Sequence, residues 1–224
     1  MAAAAGVGSA RRAARAVLLD GGMGHQLKAM GVEIAGKVGS MQRFLGVAMA
    51  NTRDPALVRD AHLAYIDAGA PPLLMPRLPP LLCRACGREP SAWAGADIIT
   101  TNNYAVVPSC LQLCEDFEGG EEGVRKLVAA AGQAARAACD ARPGRAVRVA
   151  GCLPPLHESY RPDRVGSFED NLAHYRLIAA AIAPFADLLL CETMSTALEA
   201  KAALTAASCA PPPAPAPAST ASDG

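Results

Sequence analysis

Val17-Leu18-Leu19-Asp20-Gly21-Gly22-Met23-Gly24 is the stretch that decides how the rest of the chain is read. A short apolar run ends in an acid, a glycine turn follows, and a helix start spans Met23 to Met30. In an α/β protein this order sets Asp20 at the carboxyl end of a strand, where such folds place their chemistry. Two later stretches have the same build. Ala96-Asp97-Ile98-Ile99-Thr100-Thr101-Asn102-Asn103-Tyr104 is an apolar run ending in hydroxyls and amides, and Ala186-Asp187-Leu188-Leu189-Leu190-Cys191-Glu192-Thr193 is one ending in an acid. Laid parallel, these strands bring three polar ends together.

Working outward, strands are expected at 17–20, 97–101, 146–151 and 187–191, each followed by a helix. Asp54-Pro55 opens one helix, because Asp caps and Pro suits the first helical position. Leu57, Val58, Ala61, Ala64, Tyr65 and Ala68 form its apolar face. His62 falls nearer the polar face and reads as a solvated side chain. Residues 31–53, with several glycines, read as irregular. Val124, Leu127, Val128, Ala131, Ala135 and Ala138 mark a helix over about 120–139, and further helices are expected at about 168–183 and 195–207. Strands alternating with helices imply a parallel sheet with right-handed crossovers. The glycine turn does not complete GxGxxG, since Leu27 stands where the third glycine would fall, and there is no GxxxxGK[ST] phosphate loop. The pattern therefore fits an α/β, (β/α)-barrel class better than a nucleotide-binding sheet. A small doubly wound domain taking an amino acid or nucleotide at its strand ends remains a second reading.

The chain divides into an Ala/Arg-rich tail at 1–16, a domain at 17–206 and a Pro/Ala-rich tail at 207–224. The domain is interrupted at 71–94, where six prolines, Cys83, Cys86, Arg88 and Trp93 follow neither period 2 nor period 3.6. Removing 71–96 would join a helix to a strand through a short turn, so the segment reads as an insertion into a βα unit. Acidic and basic residues balance at 21 each, which gives no electrostatic case for nucleic acid or an anionic membrane. No apolar run reaches the roughly 18–20 residues that span a bilayer. The expected location is the cytoplasm, with an organelle left open by the acid-free, arginine-bearing N-terminus. The eight cysteines read as reduced thiols, and the lone Cys83-x-x-Cys86 has no partner pair at zinc-ribbon spacing.

Several segments, in order, resemble the homocysteine S-methyltransferase family. They are Leu18-Leu19-Asp20-Gly21-Gly22, Asp54-Pro55-Ala56-Leu57-Val58, 94–102, Val149-Ala150-Gly151, Leu153-Pro154-Pro155 with Ser159-Tyr160-Arg161-Pro162-Asp163, and Asp187-Leu188-Leu189-Leu190-Cys191-Glu192-Thr193. The Pro-Pro and Ser-Tyr-Arg-Pro-Asp loop looks closest to the branch using S-methylmethionine or S-adenosylmethionine. The resemblance implies a (β/α)8 TIM-type barrel and transfer of a methyl group to homocysteine to give methionine. It implies that Asp20 and Glu192 bind the homocysteine amino group with Gly21 beside it, that Thr101 sits near the carboxylate, and that Tyr160 and Arg161 shape the side of the sulfonium donor. A sulfonium could also use the Tyr160 ring face.

In the family, a zinc ion held by three thiolates takes the homocysteine sulfur as fourth ligand and removes its proton; a free thiol with a pKa of about 8.5 is mostly protonated at neutral pH. Those thiolates come from Gly-Val-Asn-Cys and Gly-Gly-Cys-Cys type segments, and neither is present here. Cys152 and Cys191 lie at strand ends but outside these motifs. The expectation is a partial barrel of about four βα units that binds no zinc, is weak or inactive as a methyltransferase, and self-associates through its open flank. The alternative is a catalytically silent homocysteine-binding or regulatory module.

Overall fold

The computed structural model describes residues 17–33, 42–68, 95–113 and 119–211. Among these, the elements run α1 (Met23–Ala29), α2 (Gln42–Arg53), α3 (Pro55–Asp67), β1 (Ile98–Thr100), α4 (Pro108–Leu111), α5 (Gly120–Asp140), β2 (Arg148–Leu153), α6 (Phe168–Ile182), β3 (Leu188–Cys191) and α7 (Ala197–Ser208). The sheet order is β1-β2-β3 and all pairs are parallel. The α/β class with a parallel sheet is as expected. The tails at 1–16 and 212–224 and the 71–94 segment lie outside the described residues, although α7 runs two residues past the boundary set at 206.

Local chemistry sets the helix ends. The Asp54 carboxylate accepts from Leu57 N at 3.0 Å and Pro55 takes the first position of α3. Ser167 caps α6 through Asp170 N, and Thr196 caps α7 through Glu199 N, each at 3.1 Å. The six apolar positions read on α5 are all buried. Val124, Leu127 and Val128 pack in one core with Leu153 of the sheet, and Ala135 and Ala138 in another with Ile99 and Val149. Gly151 permits the approach of α6, since a Cβ there would sit 2.8 Å from Leu189 and 3.0 Å from Ile182.

The first expected strand is reduced. Residues 17–20 run beside β1 but make a single parallel bridge, Leu19 to Ile98. Asp20 N donates to Ile98 O at 3.0 Å, and Leu18 N donates to Asp97 Oδ2 at 3.0 Å. Val17, Leu18 and Leu19 are each about half exposed, because no described element covers that edge. The segment joining α3 to β1 leaves and returns at one point: Ala96 N donates to Tyr65 O at 3.0 Å, and the Gly95 backbone lies against the Ile66 carbonyl with no room for a Cβ.

Two readings are overturned. Residues 42–53 are helix α2, not irregular chain. Gly46, inside this helix, makes a close approach: a Cβ there would lie 2.9 Å from Glu33 O. His62 is fully buried, and both its ring nitrogens lack partners. The buried face of α3 is Val58, Ala61, His62 and Ile66, while Ala64 and Ala68 are exposed. Because α3 packs against α1, α2 and α5, it buries a wider arc than one apolar stripe.

Candidate functional site

The polar strand ends converge as the sequence predicts. A cavity of about 620 Å³ is lined by Asp20, Gly21, Thr101, Tyr160 and Glu192, with Thr100, Asn102, Tyr104, Thr193 and His25 among its other walls. Asp20 is fixed by Thr100, whose backbone N donates to Oδ2 at 2.8 Å and whose hydroxyl donates to Oδ1 at 3.0 Å. Burial pushes the Asp20 carboxyl up to about 6 against those two hydrogen bonds, and the nearby Glu192 charge adds to the rise. Gly21 gives the turn its place, since a Cβ would meet the Tyr65 ring at 2.9 Å, and the Tyr65 hydroxyl donates to Gly22 O at 3.1 Å.

Glu192 follows β3 directly. Its Oε2 accepts from the Cys152 thiol at 3.3 Å. Burial raises the Cys152 thiol well above its ordinary range, and the Glu192 carboxylate reinforces this, so the sulfur keeps its proton and donates it. Thr101 is buried beneath the same floor. Its hydroxyl donates to Asn103 Oδ1 at 2.6 Å and accepts from Cys152 N at 2.9 Å. Asn103 Nδ2 donates to Cys152 O at 2.9 Å. Asn102 pairs with Asn51 of α2, Nδ2 to Oδ1 at 2.9 Å, and also donates to Val47 O.

At the mouth, the Tyr104 hydroxyl is 2.6 Å from Ser159 Oγ and also hydrogen-bonds the Thr193 side chain. Thr193 (φ 54°) and Tyr160 (φ 61°) are the described non-glycine residues in the left-handed region, and both line this cavity. A β-branched residue at such a φ is held by its surroundings at a local cost, a pattern concentrated at ligand sites. Tyr160 stands 83% exposed on the rim. Arg161 is not brought to the cavity lining; it forks onto Asp163 at 2.8 and 2.7 Å and reaches Glu158 at 3.4 Å. The Arg161 guanidinium in turn holds the Asp163 carboxyl down at about 2.

Thr100, Tyr104 and His25 were given no individual role from the sequence, and Cys152 was placed at a strand end without one. The signal for Thr100 was present in the Thr100-Thr101 pair, but which threonine meets Asp20 depends on strand register. Among the described residues, no group of three or more His, Cys, Asp or Glu side chains is placed to hold a metal ion. Cys152 spends its proton on Glu192, so the donors at this floor do not fit a three-thiolate zinc centre.

The cavity gathers carboxylates at the carboxyl ends of parallel strands, the build of an α/β enzyme or binding domain that takes a small polar ligand. A profile of the family described as Homocysteine S-methyltransferase matches residues 17–74 and 91–222, most of the chain, and the chain belongs to that family. No curated protein sequence matches it. No helix among the described residues is long and apolar enough to cross a membrane.

Proposed function

We propose that this cavity is the amino-acid half of a homocysteine site, carried on part of a (β/α)8 barrel. Asp20 and Glu192 receive the ligand ammonium, and Gly21 leaves the turn bare for it. Thr101 shapes the floor on the carboxylate side, with its own hydroxyl committed to Asn103. The observation that carries the reading is charge: two carboxylates line the cavity, and no Lys or Arg stands among the described residues that line it. Such a site attracts a cationic group.

The reaction of the family reading moves a methyl group from the sulfonium of S-methylmethionine or S-adenosylmethionine to the homocysteine sulfur. A new carbon–sulfur bond forms, the sulfonium carbon–sulfur bond breaks with its electron pair returning to the donor sulfur, and the thiol proton leaves. Tyr160, exposed at the rim, offers an aromatic face to the sulfonium. Cys152, a buried protonated thiol hydrogen-bonded to Glu192, is not placed to act as the thiolate that takes up the proton of the substrate thiol. That observation favours a second reading, in which the chain binds homocysteine and turns over weakly or not at all.

Calorimetric titration of homocysteine into the purified chain and into Glu192→Gln tests the binding claim. Losing a charge-assisted hydrogen bond predicts a drop of about 10- to 100-fold in affinity. No binding by the unaltered chain would overturn the reading. A methyl-transfer assay with each sulfonium donor separates the two versions, since robust turnover contradicts the silent-module version and weak or absent turnover supports it.

A further inference from the structure

We propose that His25 is the side chain that receives the carboxylate of the bound amino acid. The inference rests on the reading of the cavity as a homocysteine site. An α-amino acid brings an anion as well as a cation, and the anion has to settle away from Asp20 and Glu192. Most side-chain donors in the walls are already spent. Thr100 donates to Asp20, and Thr101 donates to Asn103. Both amide hydrogens of Asn102 are committed, to Val47 O and Asn51 Oδ1. The Tyr104 hydroxyl is tied to Ser159 and Thr193.

Tyr160 and His25 are left. Tyr160 stands out at the rim with a neutral hydroxyl. His25 sits in the first turn of α1, and its Nδ1 lies 3.3 Å from where a Cβ on Gly22 would be. The imidazole therefore covers the glycine turn that begins at Asp20. Its ring makes no hydrogen bond among the described residues. It is also the one described lining side chain able to carry a positive charge. Asp20 and His25 stand on either side of the Gly21-Gly22 pair, which suits two opposite charges borne on a single α-carbon. Glycine at 21 and 22 keeps that turn open to the ligand.

A thermodynamic cycle tests the assignment. Homocysteine and its decarboxylated analogue 3-aminopropane-1-thiol are titrated calorimetrically into the unaltered chain and into His25→Ala. The expected result is non-additive: His25→Ala lowers homocysteine affinity about tenfold and leaves the analogue within about twofold. His25→Gln, which keeps an N–H donor, recovers part of the loss. Equal losses for both ligands, or none for either, overturn the proposal and leave the carboxylate to the backbone amides of the turn. If the unaltered chain binds the analogue as tightly as homocysteine, the carboxylate is not recognised and His25 has no such role. If it binds neither ligand, the homocysteine site itself fails, which is a separate outcome. His25 is exposed, so melting curves of the variants should overlay that of the parent.

Discussion

His62 is buried without a partner for either ring nitrogen, and this burial holds its pKa at about 3, against 6.5 for the free side chain. The folded chain therefore keeps His62 neutral where the unfolded chain protonates it. Stability from this residue is whole above pH 6.5 and is lost as pH falls through that value, the loss levelling off near 3. At pH 5, one and a half units below the unfolded value, the linkage amounts to about 2 kcal/mol, whereas at pH 7.5 it is close to zero. His62→Leu removes both the titration and two unsatisfied nitrogens, so at pH 7.5 it is expected to be neutral or stabilising. Urea unfolding of both proteins at pH 7.5 and pH 5 reads the effect. With a slope of about 2 kcal/mol per molar, the parent midpoint should fall about 1 M further than that of the variant. Groups common to both proteins cancel in the comparison. Parallel falls would show that His62 is not a buried neutral imidazole, and the packing described for α3 would be wrong.

Asp20→Asn should weaken homocysteine binding by about 10- to 100-fold in calorimetry, since the amide keeps the shape and loses the charge. With the Asp20 carboxyl raised to about 6, protonation below that value removes the anion that faces the ammonium. Affinity for homocysteine should hold above pH 7 and fall as pH drops through about 6, and a flat profile from pH 7.5 to 5 would count against Asp20 as a binding group. Gly132→Ala should destabilise by about 1–3 kcal/mol in urea unfolding, because the new Cβ would lie 2.6–2.8 Å from Phe185 and overpacking outweighs the gain in helix propensity.

Asp20 and Glu192 were legible because each closes an apolar run, and a parallel sheet brings such ends together. What stayed hidden depends on register and on tertiary cover. Successive strand residues face opposite ways, so Thr100 and Thr101 could not be told apart until β1 was paired with β2. The Cys152–Glu192 contact likewise follows from register: Cys152 pairs with Leu190, and Glu192, two residues on, shares its face. Residues 42–53 were misread as irregular because a glycine that breaks a helix and one, like Gly46, that admits a neighbouring carbonyl look the same in sequence. His62 was misplaced because helix periodicity describes one stripe, and α3 is covered from more than one side. Tyr104 and Thr193 meet across loops whose geometry no local pattern encodes.

The central claim is that one cavity holds the amino acid by its ammonium between Asp20 and Glu192. A crystal structure of the chain grown with homocysteine tests it most directly. Ligand density is expected over the Asp20-Gly21-Gly22 turn, with the amino nitrogen within hydrogen-bond distance of both carboxylates. Density for the ligand elsewhere, or with its carboxylate turned toward Asp20 and Glu192, would contradict it.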